Sequence, residues 1–233
     1  MDFVTFSVIF FSILFAIDIL YSKKSRIISF KHALIWSAVW IIISLIFIFI
    51  AFEFFKIGSI ETLLSAYLTE KILSINNLAA FLLIFSISKI NLREKLKALS
   101  FGIYLSIFGR LLLIMFGIYL IETLAHLSNL LIAIILLISS FLMIKEKEIP
   151  LDKLLIKLHD FFIKNKVNSK NEIFSYLKKG TQREIIIFAL ISIGIANVIF
   201  AFDSIFAILS ITSNFMIVVT TNILAVLGLR PLY

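Results

Sequence analysis

Cysteine is absent from this chain. Disulfides, thiolate metal sites and cysteine nucleophiles are therefore excluded, and the redox compartment stays open. Breakers are scarce too, with two prolines and seven glycines in 233 residues, which favours long uninterrupted helices. Charge is sparse at 15% of residues, whereas 61% are hydrophobic and the mean hydropathy is +1.12. A soluble domain is usually about half apolar. No Walker A loop, dinucleotide-binding glycine pattern, His-Glu-x-x-His or nucleophile elbow occurs. No serine has a convincing base partner, so the chain is expected not to be an enzyme. The three histidines, His32, His126 and His159, stand alone without metal-ligand spacing.

What is present is a series of apolar runs near the length needed to cross a hydrocarbon core of about 30 Å. Seven spans are expected, over residues 3–21, 33–52, 65–88, 98–121, 124–144, 185–206 and 208–230. The fold class is all-α, a polytopic helical membrane protein. A β-barrel would show short alternating segments instead. The first run lacks a basic leader and a small-residue cleavage site, so it reads as a retained span.

Charge sorts the connections. Loops one, three and five are basic, and the fifth, Lys145 to Arg183, holds ten Lys or Arg against five Asp or Glu. The positive-inside rule then places these loops in the cytoplasm and the N-terminus outside. The net charge of +8 follows from that rule, and nucleic acid is not expected as a partner. Three regions result: an N-terminal transmembrane half over 1–144, a basic cytoplasmic loop over 145–184, and a C-terminal hairpin over 185–233. Within the loop, Leu151 to Lys164 has helical apolar spacing. It suits either the anionic leaflet or a solvated linker helix, and the loop could also dock a protein partner.

Polar groups inside the spans carry the functional signal. Glu70 is followed six residues later by Asn76, and Asn197 is followed six later by Asp203. A charge at the bilayer centre costs roughly 2.5–3.5 kcal/mol on insertion scales. The two segments run in opposite directions, which points to inverted three-helix units meeting near the midplane. Glu70 and Lys71 open the expected third span, and the bland alternative is an interfacial pair. Six residues is about 600° of rotation, so Glu70 and Asn76 act together only through a local break, which Ser74, Asn76 and Asn77 could satisfy, or by serving different shells of the site. Asn76 and Asn77 could equally be helix glue. Asp203 either lies near the outer end of its span or needs a counter-charge, a cation or a proton. Arg110 and Arg230 are its candidate partners. Asn222 is a further possible ligand, and Asp18 reads as pairing only with Lys23 or Lys24. Carboxylate, amide and hydroxyl oxygens together suit Mg²⁺, Ca²⁺ or Mn²⁺.

Four segments, in order, resemble the TerC family of integral membrane proteins, which is grouped with the LysE-type exporters. They are Lys31-His-Ala-Leu-Ile-Trp-Ser-Ala-Val-Trp40, Glu70-Lys-Ile-Leu-Ser-Ile-Asn-Asn77, Phe200-Ala-Phe-Asp-Ser-Ile-Phe-Ala207 and Thr220-Thr-Asn-Ile-Leu-Ala-Val-Leu-Gly-Leu-Arg-Pro-Leu-Tyr233. The resemblance implies a multi-pass protein of the bacterial inner membrane that handles metal ions. Manganese export is the main expected role, and tellurite resistance is linked to some members. It implies that the acidic positions within the motifs line the ion site. Together with the reading of the polar residues, the expected site is Glu70, Asn76, Asn77, Asn197, Asp203 and Asn222, with Lys71, Arg110 and Arg230 balancing charge and Asp18 accessory. The bilayer and a divalent cation, Mn²⁺ as substrate, are the expected partners, and no permanently bound cofactor is expected.

Departures from the family pattern qualify this. Asn76 stands where the family usually has Asp, Asn197 where it often has an acid, and Phe206 where it has Pro. Asparagine keeps an acceptor oxygen but loses the charge and the proton site. Family members usually continue past Leu229-Arg-Pro-Leu-Tyr, so a shortened chain is expected. The result would be a weaker or altered cation site. The rival expectations are a non-transporting scaffold acting through loop 145–184, or a relic.

Overall fold

The protein is seen in a computed structural model. It describes residues 2–23, 30–88, 92–124, 127, 130, 132–134, 136–137 and 182–227. Six helices are defined: α1 (Phe3–Lys23), α2 (Phe30–Glu53), α3 (Ile60–Ser88), α4 (Leu92–Thr123), α5 (Gln182–Ile211) and α6 (Phe215–Leu227). Residues 130, 132–134, 136 and 137, inside the expected fifth span, are helical as well. No strand occurs among the described residues. The fold is all-α, as its composition requires. Among the described residues, four segments are long and apolar enough to cross a membrane: Phe3–Leu20, Lys31–Glu53, Ser100–Thr123 and Ala189–Ile211. The basic loop and Arg230 lie outside the described residues.

Lipid-facing surface is read directly from exposure. On α4, Phe101, Phe108, Leu112, Met115 and Tyr119 are all exposed. Their spacing of three, four and seven makes an apolar stripe. In water such a stripe would drive aggregation, and in a bilayer it meets acyl chains. The opposite face of α4 packs on α5 and α6.

The core of the bundle is α3, α4, α5 and α6, which pack on one another. Two close contacts fix the direction of α4 against α5. A Cβ on Gly194 would lie 3.0 Å from Leu105, and one on Gly117 would lie 2.5 Å from Leu209. The paired positions rise together along both helices, so α4 and α5 run parallel. The chain between them must therefore return to its starting end, which suits a fifth span over 124–144. Helices α3 and α6 also advance together, through Gly58 near Ile217 and Lys71 near Ala225. Helices α3 with α6, and α4 with α5, are the pairings that an exchange of inverted halves would produce.

Aromatic rings join α1 to α2. Phe47 lies 4.8 Å from Phe10 and 5.3 Å from Phe11 between ring centroids. Phe55, just beyond α2, stacks on Phe6 at 5.1 Å.

Several helix starts differ from the sequence expectation, and side-chain caps explain two of them. Helix α3 begins at Ile60 rather than 65, because Ser59 Oγ accepts from the backbone N–H of Thr62 at 3.2 Å. The turn expected at 207 lies at 212–214. There Asn214 Oδ1 accepts from the N–H groups of Met216 (3.0 Å) and Ile217 (3.4 Å). Such caps satisfy donors that the first helical turn leaves open.

The α2–α3 connection turns tightly. Lys56 has φ 53° and Gly58 has φ 89°. A Cβ on Gly58 would also meet Ile217 at 2.7 Å. Gly58→Ala is expected to cost about 1–3 kcal/mol through this left-handed backbone, seen as a lower thermal midpoint in detergent. An unchanged midpoint would show that the turn relaxes freely.

Candidate functional site

The two corrected boundaries change the depth of both carboxylates. Glu70 lies ten residues inside α3, about 15 Å from its start at a rise of 1.5 Å per residue. Asp203 lies eight residues before the end of α5, about 12 Å from that end. Both depths are counted from the same end of the bundle. Glu70 is 0% exposed, enclosed by neighbouring helices rather than open at the protein surface.

Glu70 has partners from three helices. Arg110 on α4 forms an ion pair with it through Nη1 and Oε1. Ser74, one turn along α3, donates to Oε1 at 2.6 Å. Asn222 on α6 donates from Nδ2 to Oε2 at 2.9 Å. The Asn222 carbonyl in turn accepts from Arg110 Nη1 at 3.5 Å. Only this amide orientation serves an anion on one side and a cation on the other. Ser106, one turn before Arg110 on α4, accepts from Nε at 3.2 Å. Arg110, Ser74 and Asn222 are as deeply buried as Glu70 itself. A charge pair withdrawn from water is tolerable only when its remaining donors and acceptors are satisfied, and these contacts do that.

A narrow crevice between α4 and α5 reaches Arg110, lined also by Leu105, Ser106, Gly109, Val198 and Ala201. It has no room for a water molecule. Among the described residues no group of three or more His, Cys, Asp or Glu could hold a metal ion. Among the described side chains, the Glu70 carboxylate is met by the Arg110 guanidinium.

Comparison with known proteins supplies the lineage. The family model described as integral membrane protein TerC matches residues 55–233. The chain belongs to the TerC family. A Photorhabdus laumondii protein named membrane-bound redox modulator Alx is 31% identical over 223 residues, covering 91% of this chain and 69% of that protein. The Myxococcus xanthus membrane protein STKORF319 is 30% identical over 224 residues, covering 94% and 70%. The Arabidopsis thaliana thylakoid membrane protein TERC is 31% identical over 181 residues, covering 76% of this chain and 47% of its own. No solved structure gives a significant match.

Within this TerC chain the other candidate residues fall as follows. Helix α3 is continuous from Ile60 to Ser88, so the local break that would bring Asn76 beside Glu70 is not formed. The two positions lie on different faces. The side chains of Asn76, Asn77, Asn197 and Asp203 lie outside the described residues. By helical register, position 203 falls on the side of α5 that carries the buried Ala196 and Phe206. Lys71 does not merely snorkel, because its ammonium donates to the Ala225 carbonyl of α6 at 3.2 Å. Arg110, expected opposite Asp203, is ion-paired with Glu70.

Asp18 is buried, and Tyr104 of α4 donates to its Oδ2 at 3.1 Å, a partner in addition to any that the sequence expectation gave it. The side chains of Lys23 and Lys24 lie outside the described residues. Tyr104 also packs its ring 6.2 Å from that of Phe15, one turn before Asp18. Ser106 and Tyr104 escaped sequence reasoning. Ser106 had a signal, its place four residues before Arg110. Tyr104 had none, since 86 residues separate it from Asp18.

Proposed function

We propose that this chain is a divalent-cation transporter, exporting Mn²⁺, rather than an enzyme. The observation that carries the reading is the Glu70 carboxylate, fully buried ten residues into α3 and met by side chains of α4 and α6. Intramembrane ionisable groups are costly and typically mark ion or proton paths. Membership of the TerC family and the apolar spans support a membrane transporter. Glu70 and Asp203 are the proposed charged ligands, with Asn222 as a neutral one. Two negative charges balance one divalent ion. Carboxylate and amide oxygens suit a hard cation such as Mn²⁺ better than a soft one. The orientation that fits is N-terminus outside and basic loops in the cytoplasm of a bacterial inner membrane. A relative's name speaks of redox modulation. These 233 residues contain no cysteine, so a thiol mechanism is not available to them.

The test is Mn²⁺ efflux from cells expressing the chain, beside Glu70→Gln and Asp203→Asn at matched membrane abundance. Efflux from the parent, lost at least tenfold in both variants, is expected. Equal efflux in all three would remove the carboxylates from the mechanism, and no efflux from a stably inserted parent would end the transporter reading.

A further inference from the structure

We propose that Arg110 is a tethered competitor for the transported cation, a side chain that fills the cation position in the closed carrier and must leave for the ion to bind. The inference rests on the transporter reading above. Three oxygens converge on this one guanidinium: Glu70 Oε1 from α3, Asn222 Oδ1 from α6 and Ser106 Oγ from α4. A carboxylate, an amide carbonyl and a hydroxyl are the donor set of a hard divalent cation. In this conformation all three serve Arg110.

Occupancy by both cations is electrostatically exclusive. A divalent ion bound by Glu70 and Asp203 while Arg110 stays in contact would place three positive charges against the two carboxylates of the site. At separations of about 4 Å, repulsion between unit charges is several-fold stronger in the interior than in water. One cation therefore displaces the other. With Arg110 in place, the empty carrier holds no net charge in the Glu70 site and can reorient without an exposed carboxylate. Binding of the ion frees the guanidinium and changes the site.

The fold provides somewhere for the side chain to go. Arg110 lines the crevice between α4 and α5. Beside it, a Cβ added at Gly109 would meet nothing within 4 Å. The crevice is closed to water now, so α4 and α5 must separate for the guanidinium to withdraw along it. Displacement of Arg110 thus couples ion binding to movement at the α4–α5 seam.

The experiment measures Mn²⁺ binding to the purified full chain in detergent, following free Mn²⁺ by its paramagnetic resonance. Wild type is compared with Arg110→Gln, Arg110→Lys and Glu70→Gln. Removing a competitor must tighten binding, whereas removing a purely structural partner must not. Arg110→Gln is expected to bind about tenfold tighter or more, within the usual 5–150-fold range of coupled sites. Arg110→Lys keeps the charge but not the rigid fork and is expected to fall between. Glu70→Gln is expected to lose binding. If Arg110→Gln proves unstable, Arg110→Lys decides alone. Glu70-dependent binding in wild type with no tightening in the folded arginine variants would overturn the competitor and leave the transporter reading standing. No Glu70-dependent binding in any form would bring down both.

Discussion

Arg110→Ala should cost about 3–5 kcal/mol of stability, the usual penalty for removing one member of a buried ion pair. The reason is what stays behind. Glu70 is 0% exposed, and alanine gives its charge nothing to lean on. Ser74 and Asn222 still donate to it, but neither cancels a negative charge. Unfolding in a graded detergent mixture would read the loss. Glu70→Gln combined with Arg110→Gln removes both charges and keeps hydrogen-bonding capacity. The double variant is therefore expected to recover at least half of the loss, so the cycle should show a large coupling. Equal losses in the single and double variants would mean that Arg110 acts through packing and not through charge. Saturating Mn²⁺ should partly restore Arg110→Ala, because a ligand that binds only the folded state stabilises it.

Much of this arrangement was legible in the sequence, and the parts that were not share a cause. Glu70 and Asn222 stand out because carboxylates and amides are rare in apolar helices, and Arg110 stands out likewise. Their meeting was not legible. Arg110 and Asn222 are 112 residues apart, and no local periodicity reports a contact between helices. Opposite-charge reasoning offered Arg110 to Asp203, whose side chain lies outside the described residues, and did not reach its pairing with Glu70. The span ends misled in a specific way. Hydropathy marks where residues are apolar, whereas Ser59 and Asn214 mark where backbone donors are satisfied. Reading apolarity alone placed Glu70 at the mouth of its span. Reading the cap places it about 15 Å along α3.

Asp18 shows the same limit from the other side. Lys23 and Lys24 were attractive partners because they are close in sequence. A helical carboxylate five or six residues from a lysine does not share its face by regular geometry. The burial of Asp18 and its bond from Tyr104 follow from how α1 lies against α4, which composition does not encode. Tyr104→Phe removes one donor from Asp18 and is expected to cost about 1–3 kcal/mol. The same denaturation assay reads it, and a loss near zero would mean that Asp18 is satisfied without the phenol.

Asn222→Leu should be nearly as damaging as Arg110→Ala, and for a different reason. Leucine matches asparagine closely in volume, so the packing of α6 against α3 and α4 is largely kept. What is lost is a donor to Glu70 Oε2 and an acceptor for Arg110 Nη1, both buried beyond the reach of bulk water. Each buried group left without its partner costs about 1–3 kcal/mol, and more when charged. A total near 3 kcal/mol is expected, together with at least a tenfold loss of Mn²⁺ efflux. Asn222→Ser separates the two contributions. Its shorter hydroxyl restores a polar group but not the two-sided bridge, so stability should return further than transport does. Parallel recovery of both would make Asn222 a structural bridge between helices and nothing more. Recovery of stability without transport would assign its carbonyl oxygen to the moving ion.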